Sequence, residues 1–216
     1  MNIKHLFSTA VLTMGLLVQP AFAEDLKVKI TPDLGSVDVK HNGKKFTIKR
    51  DQNNDNKVDE NFAKTSRNCP PFCIQPMSLA PGVETIGEVE MLEYLKQVSS
   101  GDKSVLVIDS RTPDWIKRGT IPGSINIPWT KLNPARGAAP FDIIDILTGQ
   151  FDVREQEGLF DYSGAKTLVM FCNGMWCGQS PANIRTLLDF GYPAHKIKWY
   201  RGGMQNWSNL GFTTVK

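Results

Sequence analysis

The chain has 216 residues, 41% of them hydrophobic and 22% charged, with a formal net charge of +3. That length suffices for one α/β domain with a smaller appendage, and the composition is that of a folded globular protein rather than a disordered or fibrous one. The small net charge provides no footprint for nucleic acid or an anionic membrane surface, so neither is an expected partner.

At the N-terminus, Lys4 and His5 precede an apolar run from Leu6 to Val18, and Ala21-Phe22-Ala23 follows. A basic start, a short apolar core and an A-x-A end are the parts of a secretory signal peptide. The run is too short for a membrane anchor, which takes about 20 apolar residues. Residues 1–23 are therefore expected to be cleaved after Ala23, leaving a periplasmic protein with no membrane anchor. Residues 24–80 read as a small β-rich unit. It has alternating stretches at Leu26–Ile30 and Ser36–Lys40, then Asn42-Gly43, a hairpin signal, and a third strand-like run at Phe46–Lys49. Asp51, Asn53, Asp55 and Asp59 follow at calcium-loop spacing. Asn56 and Phe62 stand where such a loop needs glycine and glutamate, so a solvated turn is expected. Cys69-Pro-Pro-Phe-Cys73 is too proline-rich for a helix.

Residues 81–216 alternate strand and helix. Glu84–Leu95 starts extended and becomes helical, and Val105–Ile108 and Thr167–Phe171 are short apolar runs of the buried parallel type. Ser124–Pro128 and Lys196–Tyr200 read as further strands. Phe141–Leu147, Pro181–Phe190 (closed by Gly191) and Met204–Asn209 read as helices. Such alternation predicts an α/β fold with a mostly parallel central sheet flanked by helices. His41 and His195 lack partners at catalytic spacing and read as surface residues, while Trp115, Trp129 and Trp207 read as packing residues.

The four cysteines are Cys69, Cys73, Cys172 and Cys177. Their Cys-x3-Cys and Cys-x4-Cys spacings do not match zinc knuckles, and no metal or cofactor is expected. In an oxidising compartment, disulfides and catalysis both remain open for them. Cys172 has the strongest context, at the carboxyl end of a buried strand, where open α/β sheets bind ligands. The loop Cys172-Asn-Gly-Met-Trp-Cys-Gly-Gln-Ser180 leads into a helix N-terminus. Free N–H groups and the helix dipole there favour a thiolate, and Gly174 and Gly178 let the backbone curl into an anion nest.

Three motifs occur in order around this cysteine. The first is Asp109-Ser-Arg111 followed by Gly119-Thr-Ile-Pro122-Gly123-Ser-Ile-Asn-Ile-Pro128, the second Val169-Met-Phe-Cys172, and the third Tyr200-Arg-Gly202-Gly203-Met204 with Trp207. Together they resemble the hallmarks of the rhodanese family over residues 81–216. The resemblance implies a sulfurtransferase in which Cys172 takes sulfane sulfur from a donor such as thiosulfate. The resulting persulfide passes its sulfur to a thiol or to cyanide. It further implies that Asn173, Gly174, Met175, Trp176 and Gly178 form the substrate-binding loop, with backbone N–H groups of residues 173–178 on the sulfur. Arg111 and Arg201 are the expected cations near it. Asp109, Gly119, Pro122, Gly123, Gly202, Gly203 and Trp207 are implied as structural residues.

Two features depart from the family pattern: the loop reads as extended, and Cys177 stands where an arginine is usual. Arg201 and Arg185 are the candidate replacements for that cation. Cys177 also opens a second reading, in which it resolves a Cys172 intermediate and makes the protein a thiol-disulfide enzyme. A third reading is a non-enzymatic module whose nest holds an anion while the N-terminal unit docks a partner protein.

Overall fold

The computed structural model describes residues 26–216. The expected signal peptide lies outside the described residues. Among those that are described, no helix is long and apolar enough to cross a membrane.

The chain opens with β1 (Ser36–His41) and β2 (Lys44–Lys49), an antiparallel hairpin turned at Asn42-Gly43. Leu26–Ile30, expected as a strand, is irregular instead. Its backbone bonds go elsewhere: Val28 N–H donates to Gln52 Oε1 at 3.1 Å and Ile30 N–H to Leu34 O at 2.8 Å. Strand-like alternation is not enough without a neighbouring strand to complete the ladder. A short helix α1 (Glu60–Ala63), capped by Asp59, precedes the 69–77 segment, where Cys69 and Cys73 form a disulfide. Asp51 and Asn53 accept backbone N–H groups of Asn53 and Asp55 within this region, and no metal-competent cluster occurs among the described residues.

Then follow β3 (Glu84–Ile86), α2 (Glu88–Ser100), β4 (Val105–Asp109), α3 (Pro113–Ile116), β5 (Ile125–Asn126) and α4 (Pro140–Gln150). A hairpin absent from the sequence reading, β6 (Arg154–Gln156) with β7 (Leu159–Asp161), comes next. The chain ends with β8 (Thr167–Phe171), α5 (Gln179–Asp189), β9 (Ile197–Tyr200) and α6 (Gly203–Asn209). The central sheet has the order β3-β9-β8-β4-β5, and every pairing in it is parallel.

Alternation along β8 builds two cores. Val169 and Phe171 face one side with Met91, Leu92 and Leu95 of α2, while Leu168 and Met170 face Ile143 and Leu147 of α4 and Ile184 and Leu187 of α5. The N-terminal hairpin does not stand apart, because Val37, Val39 and Ile48 belong to the α2 core. Each such side chain contributes roughly 1.5–3 kcal/mol on full burial. The C-terminal residues stitch the hairpin down: Asp51 N–H donates to Gly211 O at 2.7 Å and Thr213 N–H to Lys49 O at 3.1 Å. His41 is correspondingly no free surface residue. It is half-buried, its Nδ1 accepts from Gly123 N–H at 3.2 Å, and burial lowers its pKa.

Candidate functional site

Cys172 follows β8 in the middle of the sheet, and residues 172–178 carry the chain to the first turn of α5. The sulfur is buried, which by itself pushes its pKa up. Opposing that, the Cys177 thiol, the Ser180 hydroxyl and the backbone N–H groups of Ser180 and Gly174 all donate towards it, and the net result is a pKa lowered to about 7. The Ser180 Oγ–Cys172 Sγ distance is 3.1 Å, and Trp199 Nε1 donates to Ser180 Oγ at 3.2 Å. The helix N-terminus and a tethered hydroxyl thus do for this thiol what a cationic side chain does elsewhere.

The backbone nest is shared between two sulfurs. N–H groups of Gln179 and Asn173 point at Cys177, while those of Gly174 and Ser180 serve Cys172. The Cys177 N–H itself is consumed inside the loop, donating to Gly174 O at 2.9 Å. The nest therefore narrows from residues 173–178 to a few defined donors. Burial and the neighbouring Cys172 push the Cys177 thiol well above its ordinary pKa. Both thiols are unpaired, so the loop holds one sulfur poised to ionise beside one poised to stay protonated.

The glycine motif after β9 supports this loop from beneath. Met204 N–H donates to Cys172 O at 3.0 Å and Gln205 N–H to Asn173 O at 2.9 Å. Gly203 has φ +54, and a Cβ there would lie 2.8 Å from Gly174 N, so only glycine lets the two backbones approach. Trp207 is fully buried and donates to Thr213 O at 2.9 Å, holding the end of the chain. Gln205 Oε1 accepts from Trp176 Nε1 in the loop.

Arg111 is fully buried. Its guanidinium is bound by the Asp109 carboxylate at 2.7–3.1 Å, by Gly119 O at 2.7 Å and by Asn173 Oδ1 at 3.5 Å. Asp109, Gly119 O and Asn173 take up its donors, so it ties the Cys172 loop to the turn at Gly119. Pro122 is buried in the same turn.

Arg201 is not free either. Its Nε and Nη2 donate to Gln75 O at 3.2 and 2.8 Å. The reason is that the disulfide-closed segment folds across the active-site loop: Gln75 N–H donates to Met175 O at 2.8 Å, and the Phe72 ring meets the Trp176 ring edge-on at 5.7 Å. Arg185 is exposed on α5. The cation beside the loop is one the sequence did not single out: Arg67 lies over the Trp176 ring at 3.8 Å. It sits between Ser66 and Asn68 in no periodic or motif context, so only the long-range fold could reveal it.

Above the loop lies a cavity of about 390 Å³ whose wall includes Cys177, Gly178, Trp115, Trp129 and Trp176. Trp115 and Trp129 line this cavity, Trp115 while also packing on the α2 core, and Trp207 is fully buried.

No curated protein matches the chain. Among solved structures, the chain is similar to the human single-domain sulfurtransferase (20% identity, TM-score 0.37, covering 58% of this chain and 95% of that one). It is likewise similar to a thiosulfate sulfurtransferase from Pseudomonas aeruginosa (17%, 0.40, 62% and 20%) and to a rhodanese-related protein from Thermoplasma volcanium (22%, 0.37, 61% and 97%). The model of the rhodanese-like domain matches residues 91–210, more than half of the chain and all of the Cys172 loop with its supporting glycines. The chain belongs to the rhodanese-like domain family.

Proposed function

We propose that the protein is a sulfurtransferase that moves sulfane sulfur through a persulfide on Cys172. The observation that carries this reading is the buried sulfur with a pKa of about 7, held by Ser180, Gly174 and Cys177 at the start of α5. With thiosulfate as donor, the Cys172 thiolate attacks the outer sulfur, the S–S bond of the donor breaks and sulfite leaves with the electron pair. The Cys172–S–S⁻ product keeps its negative charge on the same N–H and O–H donors, as in an oxyanion hole. An acceptor thiolate then attacks the outer sulfur and Cys172 departs as the stabilised thiolate.

We propose further that the protein is exported on residues 1–23 and acts in the periplasm. A single experiment tests both proposals: intact-mass measurement of purified protein before and after one equivalent of thiosulfate. A chain beginning at Glu24 that gains one sulfur atom, and loses it to added thiol, is the expected result. An unchanged mass after thiosulfate overturns the transfer reading, and an intact Met1 overturns export.

The paired thiols favour a second reading strongly enough to test. The Cys177 thiol can attack the inner sulfur of the Cys172 persulfide, forming a Cys172–Cys177 disulfide and releasing the outer sulfur as hydrogen sulfide. Proximity on one loop provides a high effective concentration for that step. On this reading Cys177→Ser accumulates a persulfide that outlives the wild-type one, and wild type loses two hydrogens in mass. Equal persulfide lifetimes by rapid-quench mass measurement, with no disulfide in wild type, remove it.

A further inference from the structure

The cavity over the active-site loop is larger and of different chemistry than a small inorganic oxyanion requires. Its volume of about 390 Å³ falls in the range of organic-ligand pockets, roughly 300–1,000 Å³. Its lining is dominated by Phe72, Trp115, Trp129 and Trp176, with Arg67 and Arg136 as its only charged members. The Arg67 guanidinium lies over the Trp176 ring, 3.8 Å from its centre, and that of Arg136 over the Trp129 ring at 4.9 Å, so each cation sits on a cavity-lining ring. Neither has a carboxylate partner among the described residues. Arg67 Nε and Trp129 Nε1, both on lining residues, are buried donors without a hydrogen-bond partner. Buried donors of this kind are uncommon and call for an acceptor.

Cys177 lies on the wall of the cavity, and Cys172, whose thiol donates to the Cys177 carbonyl at 3.5 Å, does not. The reactive sulfur is therefore one side chain behind an aromatic, doubly cationic chamber. Part of that chamber is built by the disulfide-closed segment, which supplies Phe72 and Pro71, with Arg67 two residues before Cys69. All three precede residues 91–210, so this part of the wall lies outside the shared family region, while the rest of the lining lies within it.

We propose that this cavity is the subsite for the sulfur acceptor, an organic thiol that joins a flat apolar body to a carboxylate or sulfonate. The role as acceptor subsite rests on the sulfur-transfer reading above. The rings bury the apolar body, and Arg67 and Arg136 hold the anionic group with charge-assisted bonds. In the transfer itself the acceptor thiolate attacks the outer sulfur of the Cys172 persulfide. The S–S bond breaks, Cys172 leaves as thiolate, and the acceptor departs as a persulfide.

Two measurements on the full-length mature protein test this. The first needs no sulfur chemistry: binding of 2-naphthoate read by quenching of tryptophan emission, with neutral 2-naphthalenemethanol as the comparison. Saturable binding that weakens about tenfold in Arg67→Gln and again in Arg136→Gln, while the neutral compound is affected little, is expected from the loss of one charge-assisted bond each. The absence of saturable quenching, or equal affinity in wild type and both variants, overturns the proposal. The second measures discharge of a preloaded persulfide by 4-mercaptobenzoate and by 4-mercaptobenzyl alcohol. Expected is a KM for the anionic thiol that rises about tenfold in each variant, well beyond any rise for the neutral thiol. Identical effects on both thiols overturn the acceptor role. Arginine-dependent naphthoate binding in a protein that never loads sulfur would support the chamber while removing the transfer reading, so the two failures are distinguishable.

Discussion

Cys172→Ser is expected to load no sulfur at all, while a Cys69→Ser/Cys73→Ser double variant still forms a persulfide. Serine keeps the size of the side chain and its contact with Ser180, but its hydroxyl does not ionise near neutral pH and cannot hold sulfane sulfur. Cys69 and Cys73 are bonded to one another and have no thiolate to offer. The wild-type rate of loading should follow the thiolate fraction of Cys172. Its pKa is lowered to about 7, so the rate is at its plateau above that pH and falls about tenfold for each pH unit below it. Rapid alkylation with iodoacetamide across the pH range reads the same curve without any sulfur donor. An inflection at the ordinary thiol value of 9.0, or a Cys172→Ser protein that gains sulfur, would sink the assignment.

The largest structural effect should come from Asp109. Its carboxylate accepts from Arg111 at three guanidinium contacts and from the Arg111 N–H, and Thr120 Oγ1 donates to it at 2.7 Å. Both side chains of the pair are about 1% exposed. Asp109→Ala leaves a guanidinium buried without its counter-charge, a change that costs about 3–5 kcal/mol. The surface pair Lys45–Asp38, exposed on both sides, offers the control: Asp38→Ala should cost under about 1 kcal/mol. Urea unfolding of the three proteins measures both. A loss below about 1 kcal/mol for Asp109→Ala would mean that the pair does not hold the turn or, through Asn173, the loop.

The parts of this site readable in the sequence were those that depend on local pattern. An unbroken apolar run such as Thr167–Phe171 is what a strand buried on both faces requires, and a glycine-bearing loop leading to a helix start marks a place for an anion. The Asn42-Gly43 turn likewise announced its hairpin, whereas the close backbone approach at Gly203 showed only once the fold brought it against the Cys172 loop. What escaped the sequence depends on contacts distant along the chain. Arg201 looked like a free cation because Gln75, which binds it, is more than a hundred residues away. Arg67 had no signal of its own, and the proline-bound Cys69–Cys73 segment carried no periodicity to show that it would wall a cavity. Leu26–Ile30 failed in the opposite sense, since its pattern suited a strand that has no neighbour to pair with.

The seating of the hairpin gives the term domain two meanings in this molecule. The shared family region starts at residue 91, whereas the α2 core includes Val37, Val39 and Ile48 from well before it. The region matched by the family is thus smaller than the unit of folding. A fragment trimmed to the family boundaries would bare the inner face of α2 to water and lose the chamber wall with it. Swapping this module between chains would therefore have to carry its N-terminal hairpin along.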